Sequence, residues 1–404
     1  KQAGLPGEIR VVSGPQLDGM DDATIDKIAQ DVTVFGRITP EQKERLVDAL
    51  RRQKQYVAMI GDGVNDVLSL KKADIGIAME SGSSATRGVA DIVLLDDSFG
   101  ALPPAFLEGQ RIINGMQDIL RLFLTRTVYV ALLIISTAMI GITFPFIPTH
   151  MSLLVTLTIA IPTFALAIWA KPGITRKQGL LRSITHFVMP AALTIFFFGL
   201  MIYLAAIAIV LLRADLGAVP TTDIDTFFNL TGLDYMGESE PARRAGFLFE
   251  YAVLTAQTAL TTFTILAGLL MVVFVEPPTH WWVGGDQFSG DRRPTMLAGV
   301  MLLVFVLIKT IPATRNFFIL LLLPWWAYTL IGMVTVVWAL VIRHIWRNNV
   351  LGLFLGLPPL RTDIDLSPDA PAKQTLATQQ VDAMVSAAPP RRTDSARAVN
   401  PEGG

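Results

Sequence analysis

The sequence predicts an α/β domain with a doubly wound sheet, followed by an all-α transmembrane bundle. Three observations lead to this fold class. Short apolar segments alternate with helical patterns over residues 1–104, long apolar stretches fill much of residues 105–345, and residues 346–404 show neither pattern. Charged residues make up only 17% of the chain, whereas soluble domains are roughly a quarter charged. The deficit of charge indicates a membrane protein.

Five short apolar runs in the first part have the composition of buried parallel strands. They lie at residues 10–13, 32–35, 56–60, 75–78 and 91–95. Helical patterns separate these runs, and the clearest covers residues 39–53, where Thr39 can cap a helix that starts at Pro40. Strands that alternate with helices of this length favour a doubly wound sheet.

Six apolar stretches are long enough to cross a bilayer, since roughly 20 apolar residues span a hydrocarbon core of about 30 Å. They lie at about residues 119–142, 151–170, 187–212, 247–275, 295–312 and 319–342. The loop 171–186 is basic and contains no acid, which predicts a cytoplasmic position, whereas the acid-rich loop 213–246 is expected outside. An even number of spans then places the α/β domain and the tail 346–404 in the cytoplasm, and the composition of that tail predicts disorder.

Two features of composition exclude function classes. The chain has no cysteine, so disulfides, thiol catalysis and thiolate metal sites are excluded. Its formal net charge is −1, which gives no sign of a nucleic-acid partner.

The strongest chemical signal is the sequence MIGDGVND at residues 59–66. An apolar strand runs into a glycine-flanked loop, and ligands of doubly wound sheets bind at the carboxyl ends of strands. Asp62 and Asp66 supply the hard oxygen ligands that Mg²⁺ prefers, and Asn65 offers an amide donor to a phosphoryl oxygen. The simpler interpretation is a strand-to-helix turn in which these side chains act as caps.

A second signal lies about twenty residues upstream, in the sequence FGRITPEQK at residues 35–43. Lys43 belongs to a helix that follows a strand, and most lysines on helices are simply solvated. Here the ammonium group lies in the same predicted sheet unit as Asp62 and Asp66, where it can neutralise a phosphoryl group.

These motifs and their order resemble the haloacid-dehalogenase-type phosphorylation domain of P-type ATPases. The resemblance includes KKADIGIAM at residues 71–79, DIVLLDD at 91–97 and EGQRIIN at 108–114, which is similar to the start of the long fifth membrane helix of these pumps. The six spans resemble the C-terminal spans of the calcium-pump-like branch. The similarity is greatest to bacterial cation-transporting ATPases of the actinobacterial type, and it makes residues 1–104 the C-terminal part of the phosphorylation domain.

The resemblance implies roles for five residues and two cofactors, ATP and Mg²⁺. It implies that Asp62 holds the catalytic Mg²⁺, with Asp66 supporting the metal site. It further implies that Lys43 and Asn65 contact an aspartyl phosphate or the γ-phosphate of ATP, and that Arg37 contacts the nucleotide.

The sequence lacks the DKTGT phosphorylation motif, the TGE motif and the nucleotide-binding domain of that family. We therefore expect the chain to be the C-terminal half of a plasma-membrane pump, with the N-terminal half of the same pump as its partner. Alone, it is expected to form no phosphoenzyme, because the acceptor aspartate is absent.

Candidate transport residues follow from aligning the spans with calcium-pump-like relatives. This register places Val130, Val155 and Ile159 where those pumps have carboxylates or an amide, and leaves Thr127 and Thr158 as polar positions. Backbone carbonyls freed by a proline at position 162 are expected to add oxygen ligands.

Four further polar residues lie in or near the spans. Arg126 is either a tethered counter-charge or a snorkelling side chain. Gln257 either faces a transport path or forms an ordinary interhelical hydrogen bond. Glu250 and Lys309 are close enough to span ends that solvation is expected for both.

Three functions remain open at this point. The first is ATP-driven transport of an inorganic cation across the bilayer, with Ca²⁺ the leading candidate. The second is a P-type pump for a non-metal substrate, such as a lipid or a polyamine, because the aligned helices lack carboxylates. The third is a truncated, non-catalytic membrane module.

Overall fold

The computed structural model describes residues 9–172, 180–215, 227, 231 and 240–350. The predicted disordered tail lies almost wholly outside the described residues, as does most of the acid-rich loop. The chain divides into two compact units between Phe106 and Leu107.

The first unit contains five short parallel strands within the described residues. Strands β1 and β2 pair with each other, and β3, β4 and β5 form a second sheet in sequential order. All five predicted strands are present, but they form two sheets where one was expected, because the consecutive strands β2 and β3 do not pair. The strands are β1 (Val11–Ser13), β2 (Val34–Gly36), β3 (Ala58–Gly61), β4 (Ile75–Met79) and β5 (Ile92–Leu94).

Helices connect these strands and supply the core of the unit. Thr39 caps α3 as predicted, since its hydroxyl oxygen accepts a hydrogen bond from the Gln42 N–H and the Gln42 side chain accepts one from the Thr39 N–H. Leu46 on α3 packs with Leu17 and Ile25 in the core. The helices are α1 (Gly14–Leu17), α2 (Asp22–Asp31), α3 (Pro40–Arg52), α4 (Val67–Lys72) and α5 (Ser84–Val89).

The second unit is helical, and the described residues include six segments long and apolar enough to cross a membrane by length and composition. These segments are Phe99–Ile140, Pro148–Trp169, Ser183–Arg213, Phe247–Val275, Arg293–Thr310 and Trp325–Arg347. The helices that form them are α6 (Leu102–Ile140), α7 (Pro148–Val155), α8 (Ile161–Trp169), α9 (Leu180–Asp215), α10 (Glu240–Val275), α11 (Arg293–Thr310) and α13 (Trp325–Arg347), and the short helix α12 (Pro312–Phe317) lies between the last two.

Two span boundaries differ from those expected. The first helix starts at Leu102, well before the apolar stretch. The last starts at Trp325, because the apolar residues just before Pro324 form a non-helical segment in which Leu320, Leu321 and Leu323 are buried. A short apolar run fits a buried extended segment as well as a helix, so periodicity could not distinguish the two.

Helix α10 forms the centre of the helical unit. In its most apolar stretch 83% of the residues are buried, compared with 28–33% in the other spans. Helices α9, α11 and α13 pack around it. Gly268 of α10 lies against Thr158, where an added Cβ would be 2.7 Å from the threonine methyl carbon. This close approach requires glycine.

The second span is interrupted by a π-helical turn between α7 and α8. The turn covers Thr156–Ala160, and the N–H of Ile161 donates to the carbonyl of Thr156, five residues back. Pro162 follows and has no N–H to donate. The release of backbone carbonyls near this proline stays a prediction, and π-turns often accompany functional sites.

Candidate functional site

The loop after β3 folds tightly around the side chain of Asp66. A Cβ added to Gly61 would lie 2.5 Å from the Cβ of Asp66, so only glycine fits there. The chain then forms a single 3₁₀ turn, Val64–Asp66, and continues directly into α4. The glycines thus allow a strand, a turn and a helix to follow one another within a few residues.

Asp66 is a buried carboxylate with three donors. Its side chain is only 8% exposed, and one oxygen accepts a hydrogen bond from the ammonium group of Lys43 at 2.5 Å. The other oxygen accepts from the backbone N–H groups of Asp62 and Gly63 at 3.3 and 3.4 Å. Lys43 is therefore not simply solvated, and the structure brings two of the predicted residues together.

Asp62 has the opposite environment. Its side chain is exposed and forms no hydrogen bond or ion pair within the part of the chain that the structure describes. Its backbone carbonyl, however, accepts hydrogen bonds from the Ser83 N–H at 2.8 Å and the Thr86 hydroxyl at 3.2 Å. The backbone is fixed while the carboxylate stays open, which suits a residue that contributes one oxygen to Mg²⁺.

Sequence reasoning missed the residues that hold the Asp62 backbone. Ser83 caps α5 through its hydroxyl oxygen, and Thr86 is fully buried behind the loop. A Cβ added to Gly82 would lie 2.8 Å from the Asp62 carbonyl oxygen. The serine–glycine–serine run at residues 81–83 is a cap signal, but nothing local shows that this cap faces another loop.

A second ion pair joins α3, which carries Lys43, to α4, which directly follows Asp66. Lys72 at the end of α4 contacts Asp48 at 3.2 Å and Glu44 at 3.5 Å, both on α3. The hydrogen bond to Asp48 and the charges of both acids raise the pKa of Lys72. This pair holds α3 beside α4, on which the geometry of Lys43 depends.

The remaining predicted residues of this site lie at its surface. Asn65 is exposed in the same turn, with its side chain accessible to a ligand. Arg37 is also exposed, directly after β2, and has a φ of 54°. Among the described residues, Arg37 forms no ion pair with the loop of Asp62 and Asp66. The structure thus groups four of the five residues and places Arg37 at the end of the other sheet.

The described residues contain no cluster of three or more His, Asp or Glu side chains that could hold a metal ion unaided. Asp66 is already occupied by Lys43, which leaves Asp62 as the open carboxylate of the loop. Mg²⁺ is commonly held by one or two carboxylates together with phosphate and water. The arrangement fits such a shared site, with Asp62 as the direct ligand and Asp66 as a positioning residue.

Among the described residues, no hydrogen bond joins any of the four transport candidates to another. Thr158 is buried and donates to the Leu154 carbonyl at 2.7 Å. Gln257 is buried and donates to the carbonyl of Phe144 at 2.7 Å, in the loop between α6 and α7, so this hydrogen bond joins a helix to a loop and is not interhelical. Thr127 lies on an exposed face of α6, and Arg126 is partly buried with its Nε atom lacking a hydrogen-bond partner among the described residues.

The expectation that Lys309 is solvated was wrong. Its side chain is buried, its ammonium group donates to the Thr262 hydroxyl at 3.0 Å, and it lies 4.3 Å from the ring centre of Tyr328. The position is near a helix end, but α10 and α13 both pack against it. Glu250 is exposed as expected.

Sequence reasoning also missed a buried ion cluster in the helical unit. Arg121 contacts Asp118 at 3.0 Å and Asp286 at 2.5 Å, and all three side chains are almost fully buried. Arg121 and Asp286 are 165 residues apart, so no local pattern could pair them.

A second carboxylate in the same connecting segment is also paired. Asp291 contacts Arg293 at 2.6 Å and Lys171 at 3.1 Å. Burial disfavours the charged form of Asp291, but the hydrogen bonds from Arg293 and Lys171 outweigh it and hold the pKa well below its usual range.

The chain is similar in sequence to several known proteins. Residues 12–74 match the haloacid dehalogenase-like hydrolase family. Calcium-transporting ATPase CtpE of Mycolicibacterium smegmatis is 33% identical over 302 residues, covering 72% of this chain and 32% of the relative. CtpE of Mycobacterium bovis is 44% identical over 184 residues, covering 43% and 23%. Calcium-transporting ATPase 3, endoplasmic reticulum-type, of Arabidopsis thaliana is 42% identical over 111 residues, covering 28% and 11%.

The fold and the site define a haloacid dehalogenase-like domain with parallel sheets, followed by a helical region with six candidate membrane-spanning helices. The chain is related to calcium- and cation-transporting ATPases, and the resemblance inferred from its motifs is confirmed. It spans about a third or less of the length of these relatives.

Proposed function

We propose that this chain is the C-terminal part of a P-type ATPase that transports an inorganic cation across the plasma membrane, with Ca²⁺ the leading candidate. The observation that carries the proposal is the difference in burial and pairing between two aspartates. Asp66 is buried and bound to Lys43, while its neighbour Asp62 is exposed on a fixed backbone. The calcium-transporting relatives support the choice of ion.

The site accounts for how a phosphoryl group would be bound. Mg²⁺ held by Asp62 would neutralise part of the phosphoryl charge. The Lys43 ammonium, oriented by Asp66, would contact a phosphoryl oxygen, since a compact cation stabilises charge that develops during transfer. Asn65 would donate from its exposed amide, and Arg37 would contact the nucleotide.

The acceptor aspartate would come from the N-terminal half of the pump. Strands β2 and β3 do not pair with each other, so each leaves an edge of backbone groups without a ladder partner among the described residues. A parallel strand inserted between them would join the two sheets. Its carboxyl end would lie at the same sheet edge as Asp62 and Arg37, since parallel strands end on one side. This strand would carry the aspartate that forms the phosphoenzyme, and the chain alone would be inactive.

The proposed transport path passes the π-helical turn in the second span. Thr158 supplies a buried hydroxyl there, and Pro162 has no N–H to donate to a carbonyl of the preceding turn. A non-metal substrate is the second candidate, because the span Pro148–Trp169 contains no Asp or Glu. Desolvated Ca²⁺ usually takes about 6–8 oxygens that include carboxylates.

The proposal is tested by phosphoenzyme formation from ATP in the complete pump. Asp62→Asn should abolish phosphorylation at ordinary Mg²⁺ concentrations. Lys43→Ala should lower the rate of phosphorylation by about 100-fold or more, because it removes a positive charge that stabilises the transferred phosphoryl group. Lys71→Ala, on the neighbouring helix, is the matched control and should phosphorylate normally. Wild-type rates in Asp62→Asn would refute the site assignment.

The ion is tested in the same assay. Phosphoenzyme formation that requires Ca²⁺, with a several-fold higher Ca²⁺ requirement in Thr158→Val, supports Ca²⁺ as the substrate. Phosphorylation that is independent of every metal ion except Mg²⁺ refutes the cation proposal and favours the lipid or polyamine alternative.

The proposed topology places the α/β domain, the loop 171–186 and the tail on the cytoplasmic side. Because the chain has no cysteine, single cysteines give an unambiguous test. Leu230→Cys should react with an impermeant reagent applied outside intact cells, and Gln178→Cys should react only after permeabilisation. The reverse pattern would invert the topology.

A further inference from the structure

A cavity of about 460 Å³ opens in the helical unit between α9, α10 and α13. Its volume lies within the roughly 300–1,000 Å³ range of small-molecule sites. The walls are apolar, with Ile202, Ala206, Val210, Ala259 and Ile331 among the lining residues. A cavity with such walls in a membrane-spanning bundle selects a hydrocarbon occupant over water.

The mouth of the cavity differs from its walls. Arg213, the last residue of the third span, lines the cavity and is exposed. Its guanidinium group lies 4.6 Å from the ring centre of Trp326, which also lines the cavity. Arginine and tryptophan side chains at span ends lie at the level of lipid headgroups.

Arg213 has no anionic partner among the residues that the structure describes. Among the described residues it forms no salt bridge, whereas Arg121 and Arg293 both contact carboxylates. Thr255, a polar side chain that α10 contributes to the cavity lining, donates its hydroxyl to the Tyr251 carbonyl at 2.7 Å. Within the described part of the chain, the site therefore presents a cation without an anionic partner at the edge of an apolar cavity.

We propose that this cavity binds an anionic phospholipid, with one acyl chain in the cavity and the phosphate paired with Arg213. A guanidinium group matches the geometry of a phosphate and binds it through two parallel hydrogen bonds. The ring of Trp326 fixes the guanidinium beside the cavity mouth, so that one ligand contacts both. The charge complementarity favours anionic over zwitterionic headgroups, because a zwitterionic lipid brings its own cation to the phosphate. This inference does not depend on the transported ion.

The test measures lipid binding to the full, delipidated chain in detergent by native mass spectrometry. The probes are phosphatidylglycerol and phosphatidylcholine with identical acyl chains. The wild-type chain should bind one phosphatidylglycerol at least several-fold more tightly than phosphatidylcholine. Arg213→Gln should weaken phosphatidylglycerol binding by about tenfold or more, as expected for a lost charged hydrogen bond, and should remove the preference. Arg315→Gln, an arginine that does not line the cavity, is the matched control.

A second pair of variants tests the acyl-chain part. Ala206→Trp places a large ring in the cavity and should lower the binding of both lipids. Ala208→Trp adds the same ring at an exposed position of α9 outside the cavity and should leave both unchanged. Equal melting temperatures of the two variants show that each is folded. Unchanged phosphatidylglycerol binding in either Arg213→Gln or Ala206→Trp would overturn the proposal, as would equal affinity of the wild-type chain for the two lipids.

Discussion

Replacing Asp66 by alanine should loosen the loop that carries the phosphoryl site, whereas replacing Asp62 should not. Asp66→Ala removes the acceptor of three hydrogen bonds, two of them from backbone N–H groups. Each such bond contributes about 0.5–1.5 kcal/mol. Lys43 is 31% exposed, so water can replace part of its contact and its share must be discounted. The expected loss of local stability is about 2–3 kcal/mol.

Hydrogen exchange of the backbone amides over residues 58–70 measures this local stability. A loss of about 2–3 kcal/mol should speed exchange by roughly 30- to 150-fold where exchange follows local opening. Asp62→Asn changes an exposed side chain without a hydrogen-bond partner among the described residues, so its effect should stay within about 0.5 kcal/mol. Equal protection in Asp66→Ala and wild type, or equal loosening in both variants, would refute the division of roles between the two aspartates.

Three further predictions concern the ionic residues of the helical unit. Asp286→Asn should destabilise it by about 3–5 kcal/mol, because it leaves the Arg121 charge buried with one partner fewer; thermal unfolding followed by tryptophan fluorescence measures this loss, and an unchanged midpoint would contradict it. Lys309→Met should be neutral or stabilising in the same assay, since it removes a buried charge and keeps a chain of similar length; strong destabilisation would show that the ammonium is essential. Asp291→Asn should lower stability by an amount that is constant from pH 7 to about pH 5 and shrinks below about pH 4. A carboxyl group with a depressed folded-state pKa contributes fully only above its unfolded pKa of about 3.9. A difference that grows on acidification would contradict this.

Local patterns were sufficient for much of the fold. The Thr39 cap, the five strands and the number of membrane-competent helices all depend on residues a few positions apart, and the structure contains each of them. The division into two sheets depends on which strands pair, and no property of β2 or β3 alone decides that.

The candidate site was predictable in part for the same reason. The loop of Asp62 and Asp66 is a continuous motif, and Lys43 was linked to it by the order of elements. The clamp of Ser83 and Thr86 on the Asp62 carbonyl depends on contacts between separate loops. The burial of Lys309 likewise depends on helices distant in sequence. Such contacts leave no local signal.

The two threonines chosen as transport candidates are chemically alike, and the structure separates them. Both hydroxyls donate to the carbonyl four residues back, which leaves oxygen lone pairs free to meet a cation. Thr127 lies on an exposed face, whereas Thr158 is buried in the π-helical turn just before Pro162. A desolvated ion needs several oxygens at one buried point, so Thr158 is the better candidate. Because the span Pro148–Trp169 offers no carboxylate, a Ca²⁺ ion bound beside Thr158 would take its carboxylate ligands from other helices.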